Sequence, residues 1–299
     1  MKLHPTKTLS VILLSMLALR CGTNIESSTS GSLFGPPLNL KALSVNKSIV
    51  RLQWSAASGA SDSSFAGYLV QFASTSDTLP KNTLTYVADS LNPGEIVFTV
   101  YSRKMSGQLS DGAIIRWAPA DRFDSAYVIS EYKAQNASRA AGLDVGTRTM
   151  NPSTLPVNAA AQLTMDVFLF GGSGQIAEPL ELRSASLYAA NWNPTLFSTV
   201  SHSSPSLDYY LSSFSPALSF TENTVPIIDN TIYYARVIGD NQEVNYVRLH
   251  VHLRAGTSFP DRAIEVRLSL QRVSGLLFAE AFAAHREHPP CAVMLSLLK

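Results

Sequence analysis

Apolar and polar residues alternate in short segments along this 299-residue chain, and clusters of Gly, Pro, Asn, Asp and Ser separate the segments. In residues 49–54 the large apolar side chains are Val50, Leu52 and Trp54, at every second position. Alternation with period 2 places such side chains on one face of a β-strand. Residues 244–254 repeat the pattern over the longest stretch. Strands of this kind with turn residues between them predict an all-β fold.

The segment from about Pro36 to Trp117 resembles a fibronectin type III domain. Trp54 stands where that family has a buried Trp in its second strand, and residues 67–70 (Gly-Tyr-Leu-Val) are similar to its third strand. Residues 91–94 (Leu-Asn-Pro-Gly) resemble the turn before its sixth strand, although Ile96 and Val97 stand where the family usually has a Tyr. The resemblance implies a β-sandwich over residues 36–119, with Trp54 as core packing.

Residues 120–275 continue the β pattern and are interpreted as a second β-sandwich or jelly-roll-like domain. Two stretches are predicted to be long loops: residues 138–161 because they are turn-rich and weakly apolar, and residues 193–220 because they are rich in Ser, Pro and aromatic residues. The predicted strands are residues 126–130, 163–170, 180–183, 186–188, 232–237, 244–254 and 263–273. Residues 171–174 (Gly-Gly-Ser-Gly) are predicted to turn the chain between the second and third of these strands.

The N-terminus has the composition of a signal peptide over residues 1–20. Lys2 and Lys7 precede a twelve-residue apolar stretch, which is shorter than the roughly 20 residues needed to cross a bilayer. Residues 17–21 (Leu-Ala-Leu-Arg-Cys) resemble the lipobox of bacterial lipoproteins, which implies lipidation at Cys21. Arg20 departs from that pattern, because a small residue usually precedes the Cys. The alternative is a signal peptide cut elsewhere, with Cys21 incidental.

Residues 21–35, rich in Ser, Thr and Gly, have the composition of a flexible tether. The C-terminal tail, residues 276–299, fits neither β-domain: residues 279–285 favour a helix, and Pro289 and Pro290 would end it. The tail is either a docking segment or a terminus altered by a change of frame.

Charge composition excludes one class of function. With 23 Lys and Arg against 22 Asp and Glu, the net charge is +1, whereas nucleic-acid binders usually carry a basic excess. We therefore expect no nucleic-acid partner. No cofactor motif is recognised, since residues 171–174 lack the Lys and the following helix of a phosphate loop.

The candidate ligand contacts are aromatic residues in the predicted loop region between Trp192 and Phe220. Trp192, Phe197, Tyr209 and Tyr210 have side chains suited to contact a sugar or a protein partner. The alternative is that these rings fill the core of the second domain.

His250 and His252 are the strongest candidates for metal ligands, because residues i and i+2 of a strand point to the same side. Arg248 and Arg254 share that face, and their positive charges oppose a dication, so we predict a polar, solvated sheet face and no metal. Asp121 and Asp124 could act as a pair of carboxylates but are interpreted as solvated charges of an interdomain linker.

Together these observations predict a non-catalytic lipoprotein of the cell envelope, anchored in the outer membrane or at the cell surface through Cys21. The resemblance to fibronectin type III implies a spacer or a module that binds a protein or glycan partner. The alternative is a secreted enzyme acting on polysaccharide, or an accessory module of one. A glycosidase would need two carboxylates facing each other in a cleft, and the second domain shows no convincing pair.

Overall fold

A computed structural model describes residues 34–133, 138–161, 163–172, 178–211, 219–239, 242–276 and the backbone of 279–281. The described residues form nineteen strands, and all of them fall in one compact unit. No helix among them is long and apolar enough to span a bilayer. Cys21, the predicted signal peptide and most of the tether and tail lie outside the described residues.

The N-terminal sandwich packs a three-stranded sheet, in the order β1-β2-β5, against a five-stranded sheet that contains β7-β6-β3-β4. Its strands are β1 (Leu38–Asn46), β2 (Ile49–Ser55), β3 (Phe65–Phe72), β4 (Thr75–Pro80), β5 (Thr85–Ala88), β6 (Ile96–Lys104) and β7 (Leu109–Trp117). The predicted apolar faces point into its core, where Val50, Leu52 and Trp54 are buried. Phe34, which the sequence assigns to the tether, also packs in this core, with its ring 5.5 Å from that of Phe65.

The second sandwich packs a six-stranded sheet, β14-β13-β16-β17-β18-β8, against a five-stranded sheet, β10-β9-β11-β12-β15. The strands are β8 (Asp121–Ser130), β9 (Ala140–Asp144), β10 (Ser153–Pro156), β11 (Val167–Phe170), β12 (Glu181–Ser184), β13 (Thr195–Ser203), β14 (Phe220–Glu222), β15 (Thr224–Pro226), β16 (Thr231–Ile238), β17 (Val244–Leu253) and β18 (Ala263–Gln271).

The all-β prediction with two sandwiches is confirmed, but several local predictions are wrong. Residues 138–161 contain β9 and β10, and residues 193–220 contain β13, because strand pairing within a sheet stabilises segments whose own periodicity is weak. Residues 185–187 form a 3₁₀ helix rather than a strand. Of the predicted Gly-rich turn, only Gly171 and Gly172 are described.

The six-stranded sheet has apolar side chains on both faces. Tyr233, Ala235 and Val237 of β16 point into the core between the two sheets of the second sandwich. Ile232 and Tyr234 point the other way and are buried in the cluster that forms the core of the N-terminal sandwich. The two sandwiches therefore share a buried apolar contact rather than only a linker.

A last strand, β19 (Ala279–Ala281), comes from the predicted tail. Its backbone pairs antiparallel with β7, with Ala279 opposite Trp117, and so adds to the edge of the five-stranded sheet of the N-terminal sandwich. The chain after the second sandwich thus returns to the first.

Candidate binding surfaces at the junction of the two sandwiches

The structure does not gather the four predicted aromatic ligand contacts into one surface. Phe197 is fully buried in the core of the second sandwich. Trp192 is 6% exposed and packs with Phe168 and Met165 on the outer side of the five-stranded sheet. Because neither ring is accessible, both fill cores, which is the alternative that the sequence left open.

Tyr209 and Tyr210 are half-buried and lie in the segment that follows β13. The ring of Tyr209 stacks on His202 with 4.7 Å between centroids, and it packs against the core of the N-terminal sandwich. Of the four predicted contacts, therefore, only these two neighbours retain accessible surface.

The prediction of a solvated polar face around His250 is wrong. Arg248 and His250 are each 1% exposed, because residues 204–211 fold back over this part of the six-stranded sheet. Arg248 Nη2 donates to the carbonyl oxygen of Tyr209 at 2.8 Å, and His250 Nε2 lies 2.9 Å from that of Ser204. The polar side chains of the sheet therefore bind the backbone of the covering segment instead of water.

The environments of the two histidines differ. Burial lowers the pKa of His250, which favours the neutral ring that donates through Nε2. His252 is 40% exposed at its side chain, and its Nδ1 lies 2.8 Å from Oδ1 of Asp229. Nowhere in the described part of the chain do three or more His, Cys, Asp or Glu side chains gather in a way that could hold a metal ion.

Arg248 is the buried cation beneath residues 204–211. Burial lowers the pKa of its guanidinium to about 10, and the carbonyl groups of Leu207 and Tyr209 lie within hydrogen-bond distance. The segment that it holds continues to Leu211, whose backbone pairs with Ala42 of β1 through two hydrogen bonds of 2.9 and 3.0 Å. Residues 204–211 thus connect the second sandwich to the edge of the first.

The direct connection between β7 and β8, residues 118–120, is buried, and polar side chains of other strands bind its backbone. Ser44 Oγ accepts from Trp117 Nε1 at 2.8 Å and from the backbone N–H of Ala120 at 3.1 Å. Gln271 Nε2 donates to the carbonyl groups of residues 118 and 119, both at 3.1 Å. Since Ser44 and Gln271 are at most 2% exposed, water does not compete for these bonds. The junction is built as a rigid connection.

A cleft of about 400 Å³ opens beside this junction. Its walls come from the β1–β2 turn, the start of β8, residues 150–151 and the chain just after β18. Arg122 pairs with Asp124 and Asp208, each at 2.7 Å, and Asp121 pairs with Arg272. The interpretation of Asp121 and Asp124 as charges of a linker is wrong, because β8 begins at Asp121 and only the three buried residues 118–120 connect it to β7. Asp124 is solvated as predicted, with its side chain 65% exposed.

Asp144 and Asp166 are neighbouring carboxylates of the second sandwich that are sealed from solvent. Asp166 is fully buried and Asp144 is 1% exposed. Asp166 Oδ2 accepts from the N–H of Val145 at 2.9 Å, while its Oδ1 has no partner among the described residues. Burial, reinforced by the charge of Asp144, raises the pKa of Asp166 to about 7 against the opposing effect of Arg148. A substrate cannot reach this pair.

The sequence did not indicate that the polar side chains of Arg248, Asp144 and Asp166 are buried. Asp166 directly precedes an apolar strand, and Arg248 lies within one, but residues of this type in such positions are usually exposed. The local pattern contains no signal for the segments that cover them.

Comparison with known proteins gives one family match. Residues 35–115 match the family described as fibronectin type III domain. No curated protein is significantly similar to the chain. A crystal structure of the FN1–FN3 domains of chicken CNTN1 is 9% identical, with a TM-score of 0.23; the match covers 82% of this chain and 87% of that chain.

Proposed function

We propose that this chain, in which residues 35–115 are a fibronectin type III domain, is a non-catalytic lipoprotein of the cell envelope. Cys21 would carry the acyl chains that tether it to the membrane. The two sandwiches would act as a rigid spacer that presents a binding surface to a protein or glycan partner.

The observation that carries this proposal is the buried junction. Modules joined by flexible linkers move independently, as expected for small polar interfaces. Here Ile232 and Tyr234 of the second sandwich enter the core of the first, and Ser44 and Gln271 lock the connecting chain. Such a junction keeps the two modules in one orientation, which favours a spacer or a composite binding surface.

The rival function, hydrolysis of polysaccharide, needs two carboxylates that face each other across an accessible site. Asp144 and Asp166 are the buried pair in this sandwich, and neither side chain contacts solvent. This pair therefore gives no support to the enzymatic alternative.

The anchor is tested by the intact mass of the protein purified from the envelope of a bacterial host. We expect a mass that corresponds to cleavage before Cys21 plus acyl chains, and membrane association that resists high salt. The Cys21→Ala variant should lose both. An unacylated wild-type protein, released in soluble form, would contradict the proposal and favour a secreted binding protein.

A further inference from the structure

We infer that the cleft at the junction of the two sandwiches, called here the junction cleft, binds an acidic saccharide that carries carboxylate groups, such as a uronic-acid oligosaccharide. The inference rests on the proposed function, because it specifies the ligand class of a binding protein. The junction cleft is defined by Asn46, Lys47, Arg122, Phe123, Met150 and Arg272, all of which line it.

The size and position of the junction cleft fit a small-ligand site. Its volume of about 400 Å³ falls within the range of roughly 300–1,000 Å³ typical of such sites, which occur preferentially between domains. One wall is the turn at Asn46 and Lys47 of the N-terminal sandwich, and the others belong to the second sandwich. Because the junction is buried and hydrogen bonded, these walls do not need to be brought together when a ligand binds.

Two guanidinium groups are already fixed in the walls. Arg272 pairs with Asp121 and donates to the carbonyl groups of Gly146 and Met150. Arg122 uses Nε and Nη1 for its two aspartate partners, and its Nη2 makes no hydrogen bond to any described residue. An arginine that is already ordered loses little entropy when its remaining N–H groups bind a carboxylate.

The lining carries three cations and one carboxylate. Lys47 is exposed and forms no ion pair with a described residue. Asp124 and Asp208 more than balance the charge of Arg122, and Asp121 balances that of Arg272, although the side chains of Asp124 and Asp208 are 65% and 56% exposed, so water screens them. Lys47 is thus the cation at the mouth of the cleft that is available to an incoming anion.

The remaining lining residues suit a sugar better than a simple anion. Asn46 Oδ1 accepts from the N–H and the hydroxyl of Ser48, which leaves Asn46 Nδ2 to donate to a sugar hydroxyl. Phe123 and Met150 supply apolar surface that inorganic phosphate would not use. Met150 is 69% exposed and has a φ of +67°, a strained conformation for this residue. Strained backbone of this kind is concentrated at ligand sites.

The test measures binding of trigalacturonate to the soluble Cys21→Ala protein by calorimetry, with neutral maltotriose, inorganic phosphate and triglutamate as comparison probes. We expect trigalacturonate to bind more tightly than all three, and its affinity to fall with added salt. Lys47→Ala should weaken binding about tenfold, the effect of removing one hydrogen bond to a charged group. Met150→Gly should also weaken the binding of trigalacturonate, because it removes apolar contact, although the substitution relieves the backbone strain.

Lys81→Ala is the matched control, because Lys81 is an exposed lysine outside the junction cleft. It should leave the affinity unchanged. Equal binding of maltotriose or triglutamate, no binding of trigalacturonate, or full affinity in Lys47→Ala would each overturn the inference. Acylation of Cys21 is measured on a different form of the protein, so failure of the anchor and failure of the junction cleft are distinguishable.

Discussion

Replacing Asp166 with Asn should stabilise the protein above neutral pH and leave it unchanged or less stable in acid. Asp166 is fully buried at the start of β11, and its pKa is raised to about 7, whereas an aspartate in an unfolded chain titrates near 3.9. Between these two values the unfolded chain has released the proton and the folded protein keeps it. Stability is therefore lost as the pH rises through this window.

The size of this loss of stability follows from the difference between the two pKa values. Each pKa unit corresponds to about 1.4 kcal/mol. Ionisation of Asp166 therefore lowers the free energy of unfolding by about 4 kcal/mol at pH 8 and by about 1 kcal/mol at pH 4.5. Asn keeps an oxygen for the N–H of Val145 but places an amide where Oδ1 has no partner. That unpaired group costs roughly 1–3 kcal/mol at every pH. The diagnostic quantity is therefore the pH dependence of the difference in free energy of unfolding between the Asn variant and its parent.

The assay is urea unfolding of the soluble Cys21→Ala protein, with and without Asp166→Asn, at pH 4.5 and pH 8. The free energy of unfolding of the Asn variant relative to its parent should rise by about 3 kcal/mol between the two conditions. Asp111→Asn, at an exposed carboxylate, is the control and should change little. An Asn effect of equal size at both pH values would refute the reasoning, because it would mean that Asp166 is ionised in the folded protein throughout.

Three further substitutions test the junction and the cores. Ser44→Ala removes the acceptor of the buried N–H groups of Trp117 and Ala120 and should lower the free energy of unfolding by about 2–5 kcal/mol in chemical denaturation; Ser44→Thr, which keeps the hydroxyl, should lose less. Gly67→Ala should prevent folding in a soluble-expression assay, because a Cβ would lie 2.0 Å from a backbone oxygen of β4 at a φ of +139°; normal expression would contradict this. Phe197→Ala should cost roughly 3–5 kcal/mol in thermal unfolding experiments, and a loss under 1 kcal/mol would show that the ring is not core.

Much of the N-terminal sandwich is predictable from local pattern. Val50, Leu52 and Trp54 alternate with polar residues, and a strand with one buried face produces this periodicity directly. In the second sandwich the same rule identifies β17 but fails for β9 and β10. These strands are short, and their pairing with each other and with β11 stabilises a conformation that their own pattern does not indicate.

Much less of the candidate site could be predicted from the sequence. Arg122 and Arg272 are 150 residues apart in sequence, and only the pairing of β18 with β8 brings them to one cleft. Lys47 reaches the same cleft from the other sandwich. No motif links residues at such separations, so neither composition nor spacing could have identified them.

Local patterns in the amino-acid sequence are enough to predict that the chain forms strands, that these strands build sandwiches, and that residues 36–119 resemble fibronectin type III. These properties follow from short-range alternation and turn residues. That the polar face of β17 is covered follows only from long-range contacts, since residues 204–211 fold onto Arg248 and His250. Long-range contacts also determine that the two sandwiches share a core and enclose a cleft. Alternation shows which side chains share a face of a strand, but whether that face meets water or protein depends on segments that are far away in sequence.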